Sequence, residues 1–238
     1  MSDFVQQQHT ICNFSNEESW VILSPIEQSI KQKIESVGTP LKDWDIKIYR
    51  GVLTGYNDAF IISTEKRDEI LANCQTEEER IRTAELIRPI LRGRDIKRYG
   101  YNWADLWLIA TFPSRHYDIE MYPAVKAHLL SFGKERLEQT GKRYIINGED
   151  VKARKKTSNK WFETQDSISY WDDFSQPKIV YPNMTKYLPF VYDDKQHLTN
   201  QKCFIITGKN VAFLTSFLNS SLFKFCFRES FPELQGGT

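Results

Sequence analysis

Residues 178–207, KIVYPNMTKYLPFVYDDKQHLTNQKCFIIT, contain three apolar runs separated by short polar segments. The runs predict strands at Lys178–Tyr181, Phe190–Tyr192 and Phe204–Thr207. Because short polar loops connect them, the three strands are expected to form an antiparallel sheet.

Helices and further strands flank this sheet on both sides. Ser24, Pro25 and Glu27 have the capping-box pattern of a helix start, and Gly38 is expected to end that helix. The same patterns predict strands at 44–49, 59–62 and 106–112, and helices at 64–73, 76–87, from Pro123, 210–219 and 221–227. The fold class is therefore α+β, with mixed, largely antiparallel sheets and peripheral helices. No flexible linker is evident, so we expect one domain over 1–238; two lobes meeting near residues 115–160 are the alternative arrangement.

The composition excludes several classes of protein. Aromatic residues make up 13% of the 238 residues, too many for a disordered chain. The net charge is +1, so any nucleic-acid surface requires local segregation of charge. The apolar segment Val211–Phe227 is too short and too interrupted to span a bilayer. The chain has four widely spaced cysteines, Cys12, Cys74, Cys203 and Cys226, and its N-terminus does not have the pattern of a signal peptide. We therefore expect free thiols in a cytoplasmic protein with no membrane partner.

Sequence motifs for catalysis are absent. The chain contains no GxSxG, HExxH, GxxxxGK[ST] or GxGxxG pattern. We therefore expect no catalytic residue, no metal and no cofactor in this segment.

The first candidate binding segment is the glycine-punctuated loop RGVLTGYN, residues 50–57. Glycines on both sides of Thr54 let a backbone approach a ligand, and exposed N–H groups there could hold a phosphate. Arg50, Gly55 and Asn57 are candidate contacts in the same loop. An ordinary turn between two strands is the alternative.

The second candidate is RGRDIKR, residues 92–98. Gly93 interrupts regular structure, so the basic side chains are expected to project from a loop. Arginine suits bidentate contact with a guanine edge or a phosphate. An internal ion pair, with Asp95 holding one arginine, is the alternative. The candidate residues are Arg92, Arg94, Lys97 and Arg98.

The third candidate lies within residues 134–160, which carry a net charge of +5. Arg154, Lys155 and Lys156 are expected to contact a phosphate backbone, with the rings of Trp161 and Phe162 behind them. A solvated loop is the alternative. Lys186 lies in a further polar loop, residues 183–187, which could face a base edge or serve only as a hairpin connection.

The order of these motifs resembles a known family. The matching pieces are LKDWDIKIYRG at 41–51, TGYNDAFII at 54–62, IRPILRGRDIKRY at 87–99, KIVYP at 178–182 and FLNSSLF at 217–223. Together they resemble the TaqI-like C-terminal specificity domain, the target-recognition domain of type IIG restriction-modification enzymes and adenine-specific DNA methyltransferases. The resemblance extends over about residues 19–238.

The resemblance implies a module that recognises a specific sequence of double-stranded DNA. The chain would be a fragment of a longer enzyme, whose N-terminal methyltransferase domain would flip an adenine out of the duplex and methylate its N6. S-adenosylmethionine, and Mg if the parent enzyme cleaves DNA, would belong to that parent. A protein-interaction or scaffolding domain with the same fold and no DNA contact is the alternative function.

Overall fold

The structure is a computed structural model that describes residues 23–146, 148–184 and 188–230. Contacts between backbone positions divide the chain into two compact units. The larger unit is formed by residues 47–216. The smaller one contains the described residues before 47 and after 216.

The predicted antiparallel sheet is present in the larger unit. It has the strand order β1-β12-β9-β10, formed by Ile46–Arg50, Cys203–Gly208, Lys178–Pro182 and Val191–Asp193. Strand β9 is antiparallel to both of its neighbours, with Val180 opposite Val191 on one side and Ile205 on the other. All three of these side chains are buried, which explains why a short apolar run becomes a central strand.

A second sheet has the order β11-β3-β6-β2, formed by Leu198–Thr199, Ile87–Leu91, Leu106–Ile109 and Ile61–Ser63. Strand β11 is parallel to β3, and the other pairs are antiparallel. The α+β class with mixed, largely antiparallel sheets is therefore confirmed. Two hairpins accompany the sheets, β4-β5 (Ile96–Lys97 and Gly100–Tyr101) and β7-β8 (Arg143–Ile146 and Glu149–Lys152).

The helices follow their predicted caps closely. Helix α1 (Pro25–Val37) has the full capping box of Ser24 and Glu27 and ends at Gly38. The predicted strand at 59–62 is wrong in its first half, because residues Asn57–Phe60 form one helical turn, α2, before β2 begins. The other helices are α3 (Thr64–Ala72), α4 (Glu77–Leu86), α5 (Pro123–Leu130), α6 (Lys134–Leu137), α7 (Val211–Leu218) and α8 (Ser221–Ser230).

Helix α4 contains a buried acid whose hydrogen bonds explain its position. Thr76 caps the helix by accepting a hydrogen bond from the backbone of Glu79. The Glu79 carboxylate is buried and accepts from the backbone N–H groups of Gln75 and Ala124. It therefore ties the start of α4 to the start of α5.

The described cysteines are free thiols, as expected: Cys203 is buried, and Cys74 and Cys226 are partly buried. Cys12 lies outside the described residues. Among those residues, no helix is long and apolar enough to cross a membrane.

Candidate nucleic-acid interface

The turn after β3 gives the two arginines of the Arg-Gly-Arg motif different surroundings. Residues Gly93–Asp95 form a single 3-10 turn. Arg92 Nε and Nη2 donate to the two oxygens of Asp95 at 3.0 and 2.8 Å, and the backbone N–H of Arg92 donates to the same carboxylate. Hydrogen bonding to Asp95 raises the pKa of Arg92. The internal ion pair considered above therefore exists for Arg92, whereas Arg94 is exposed.

The β4-β5 hairpin carries the remaining basic residues of this motif. The Lys97 ammonium donates to the backbone carbonyl oxygen of Arg94 at 2.8 Å, which holds the Lys97 side chain against the turn that carries Arg94. Arg98 stacks over the ring of Tyr99, 4.9 Å from its centroid. The tip of the hairpin is therefore exposed, cationic and aromatic.

Two further cations lie close to the turn after β3, one at the end of β1 and one in the turn before β12. Arg50 Nε donates to the carbonyl oxygen of Gln201 at 3.4 Å. The next residue, Lys202, is exposed and packs against Gly93, where a Cβ atom would lie 3.2 Å from the Lys202 carbonyl oxygen. We call Arg50, Arg94, Lys97 and Lys202 the basic cluster. Lys202 was not predicted as a site residue, because a single lysine in a polar turn before a strand is not a distinctive pattern.

The loop at 51–57 is held by internal contacts, which favours the turn interpretation. The backbone N–H groups of Gly51 and Val52 donate to the carbonyl oxygens of Cys203 and Thr199 at 2.8 and 2.7 Å. Thr54 is buried, and its Oγ1 donates to Oδ1 of Asn57 at 2.7 Å. The expected contact of Thr54 with DNA is therefore corrected, and the N–H groups of Gly51 and Val52 are not free to hold a phosphate. Gly55 and Asn57, in the same loop, are exposed.

Gly51 and Gly55 make room for the protein's own atoms. A Cβ atom at Gly51 would lie 2.1 Å from the carbonyl oxygen of Asn200. Gly55 has a φ of +78° and faces the side chains of Gln165 and Arg154. These glycines are required for close internal packing.

Arg154 differs sharply from the two lysines that follow it. It is only 4% exposed, and its guanidinium donates to the carbonyl oxygens of Leu137, Thr54, Glu163 and Trp161 at 2.6–2.8 Å. Burial lowers its pKa to about 10, so the group remains charged at neutral pH. The expectation that Arg154 contacts a phosphate is therefore corrected, because this side chain links three backbone segments inside the protein.

Lys155 and Lys156 are exposed. Burial raises the pKa of Asp166, and the charges of Arg50 and Lys155 act to lower it. Lys186 lies outside the described residues.

A buried group of charges lies beneath the β9-β10 pair. The Asp193 carboxylate accepts from Lys178 Nζ at 2.6 Å and hydrogen bonds to His197 Nδ1 at 2.9 Å. Burial alone would raise the pKa of Asp193, but the His197 hydrogen bond and the Lys178 charge together hold it at about 2. These charges satisfy one another in the interior. Over the ranges that the structure describes, no group of three acidic, histidine or cysteine side chains could hold a metal ion.

Comparisons with known proteins identify a family and structural likenesses. The family model of the TaqI-like C-terminal specificity domain matches residues 88–238 of this sequence. The curated proteins contain no match. Among solved structures, the type IIL restriction-modification enzyme MmeI, in complex with DNA, aligns at 12% identity with a TM-score of 0.48. That alignment covers 79% of this chain and 22% of the MmeI chain, so this chain spans about a fifth of that enzyme's length. The family model covers well over half of the residues, and the chain therefore belongs to the family of TaqI-like C-terminal specificity domains.

Proposed function

We propose that this chain is a DNA target-recognition module of a restriction-modification enzyme. The observation that carries the proposal is the basic cluster, in which three segments far apart in sequence, the end of β1, the turn after β3 and the turn before β12, bring Arg50, Arg94, Lys97 and Lys202 together. A protein with a net charge of +1 needs such local segregation to hold a polyanion.

The residues divide into positioning and reading roles. Lys97 and Lys202, together with the exposed Lys155 and Lys156, neutralise phosphates and fix the orientation of the duplex. Arg94 and Arg50 present guanidinium groups suited to the O6 and N7 atoms of guanine. Gly55 and Asn57, exposed in the loop at 51–57, are further candidate contacts, and Arg98 with Tyr99 forms the tip of the β4-β5 hairpin. Arg92 contributes indirectly, because its ion pair with Asp95 fixes the turn that carries Arg94.

The catalytic context is proposed for a longer parent enzyme. In it, residues 1–238 would act as one recognition domain beside an N-terminal methyltransferase domain, as in type IIG enzymes. That domain would transfer a methyl group from S-adenosylmethionine to adenine N6 after base flipping, and Mg would be required only if the parent also cleaves DNA. A specificity domain is not expected to carry a cofactor. A cytoplasmic location follows from this proposed role.

The salt dependence of duplex binding tests the proposal. Four phosphate contacts predict a loss of about two decades of affinity for mixed-sequence duplexes between about 50 and 200 mM salt. Substituting Arg94, Lys97 and Lys202 together by Ala should lower the affinity at low salt and flatten this dependence. The control replaces Lys66, Arg80 and Lys126, three cations at the surface of helices α3, α4 and α5 whose side chains are 32–57% exposed.

The alternative, a protein-interaction domain, predicts a different outcome. Duplex binding would then be absent, or equally weakened by the control substitutions. Either result would reject the basic cluster as a DNA surface.

A further inference from the structure

A cavity of about 310 Å³ lies in the larger unit, at the end of β3 that is remote from the basic cluster. Its walls come from α4, β3 and the two 3-10 turns Pro113–Arg115 and Trp171–Ser175. The volume is at the lower end of the range for sites that bind one small molecule.

Three arginines line this cavity: Arg82, Arg88 and Arg115. Arg82 Nη2 donates to the Met121 carbonyl oxygen at 3.3 Å, and Arg88 Nη2 contacts two oxygens of Gln196 at 3.2 and 3.4 Å. Among the described residues, none of the three has a carboxylate within ion-pair distance. Because each guanidinium carries five donors, most of their hydrogen-bonding capacity remains available.

The balance of charge around the cavity favours a doubly charged anion. The only acidic residue among the described side chains that line it is Glu85. Three arginines and one glutamate give a formal lining charge of +2. A phosphate monoester carries about −1.5 to −2 at neutral pH and accepts bidentate hydrogen bonds from guanidinium groups. The cavity is therefore better matched to a phosphate monoester than to a single carboxylate.

Aromatic side chains form the rest of the wall. Arg115 stacks on the Trp171 ring at 3.8 Å, and Tyr117 meets Tyr122 edge-to-face with ring centroids 5.8 Å apart. Phe112 and Phe174 complete this side of the cavity. Phe112, Phe174 and Tyr122 are nearly fully buried, so the partly exposed Tyr117 and Trp171 are the aromatic surfaces left for a planar ring on the ligand.

Strand β3 separates this cavity from the basic cluster. Arg88 lies at the cavity, and Arg92 begins the turn that carries Arg94. Four strand residues span about 13 Å, so one small molecule cannot contact both sites.

We propose that this cavity is a binding site for a phosphorylated planar molecule of the mononucleotide class. Arg88 and Arg115 would hold the phosphate, and the aromatic wall would take the ring. This site is separate from the proposed DNA surface and does not rest on it.

Isothermal titration of the whole chain with adenosine 5′-monophosphate, adenosine and inorganic phosphate tests the proposal. The monophosphate should bind at least about tenfold more tightly than either part, because it uses both the charged and the aromatic walls. Arg115→Met should weaken that binding about tenfold or more, while Arg94→Met should leave it unchanged.

Several outcomes would overturn the proposal. They are no binding of the monophosphate at millimolar concentration, equal binding of phosphate alone, equal binding of adenosine alone, and a loss of binding in Arg94→Met. If Arg115→Met fails to fold by thermal melting, Arg88→Met replaces it and carries the same expectation. Unchanged binding in the folded variant would equally reject the site.

Discussion

Arg92 and Asp95 are joined by a two-pronged ion pair across one turn of the chain, with Nε to Oδ2 at 3.0 Å and Nη2 to Oδ1 at 2.8 Å. Asp95 is 4% exposed, so the ion pair gives a buried carboxylate its cationic partner. Arg94, two residues from Arg92, is exposed and belongs to the basic cluster. One short motif thus supplies both a structural arginine and a candidate DNA contact.

We predict that Arg92→Ala destabilises the protein by about 2 kcal/mol or more, because it leaves a buried carboxylate without its cation. Urea unfolding measures this loss. Arg94→Ala is the matched control and should stay within about 0.5 kcal/mol of wild type. Equal stability of the two variants would contradict the assignment of roles.

Arg154→Met should cost about 3 kcal/mol or more, because four carbonyl oxygens lose a charged donor in the interior. Thermal and urea unfolding should both report the loss. The neighbouring change Lys155→Met, at an exposed position, should leave stability nearly unchanged. If Arg154→Met unfolded like wild type and instead lost only DNA affinity, the original sequence interpretation of Arg154 would be restored.

Gly51→Ala should strongly destabilise the larger unit, by at least about 2 kcal/mol, because the new Cβ would overlap the Asn200 carbonyl oxygen. Gly100→Ala is the control, since a Cβ there would meet no described atom within 4 Å. Denaturant midpoints of the two variants compare them directly. A stable Gly51→Ala protein would show that the glycine is not needed for packing against residues 199–200.

The lowered pKa of Asp193 leads us to predict that the folded protein loses stability in acid. Its pKa is about 2 in the folded protein, below the value near 3.9 of an unfolded chain. Its contribution, about 2 kcal/mol, is therefore complete above about pH 4 and is lost as the pH falls through about 2. Carbon-detected NMR titration of the carboxyl should give a midpoint near the folded value. A midpoint near 3.9 would mean that His197 and Lys178 do not hold the charged form.

Local sequence patterns predicted the buried strands and the capped helix better than the exposed hairpin and the single turn of helix. The strands at 178–182, 191–193 and 203–208 follow from apolar runs between polar loops, and the capping box located α1. The hairpin at 143–152 was missed because its strands are largely exposed and charged, so they show no buried face. The turn of helix at 57–60 was read as strand because its buried residues continue into β2.

The site was harder to predict because exposure changes between neighbouring residues. The sequence 154–156, Arg-Lys-Lys, reads as one basic run, yet only the arginine is drawn inside by carbonyl oxygens from distant segments. Lys202 joins Gly93 through a contact between residues more than a hundred positions apart. Such contacts depend on how the strands pair, and no local pattern records them.

Hydrogen exchange with and without a mixed-sequence duplex tests the central claim most directly, because it maps where DNA lies on the chain. The account predicts new protection of amides in residues 93–98 and 200–203, with helices α3 and α4 unchanged. Protection confined to α3 and α4, or no change at any amide at saturating duplex, would contradict the assignment of the basic cluster as the DNA-binding surface.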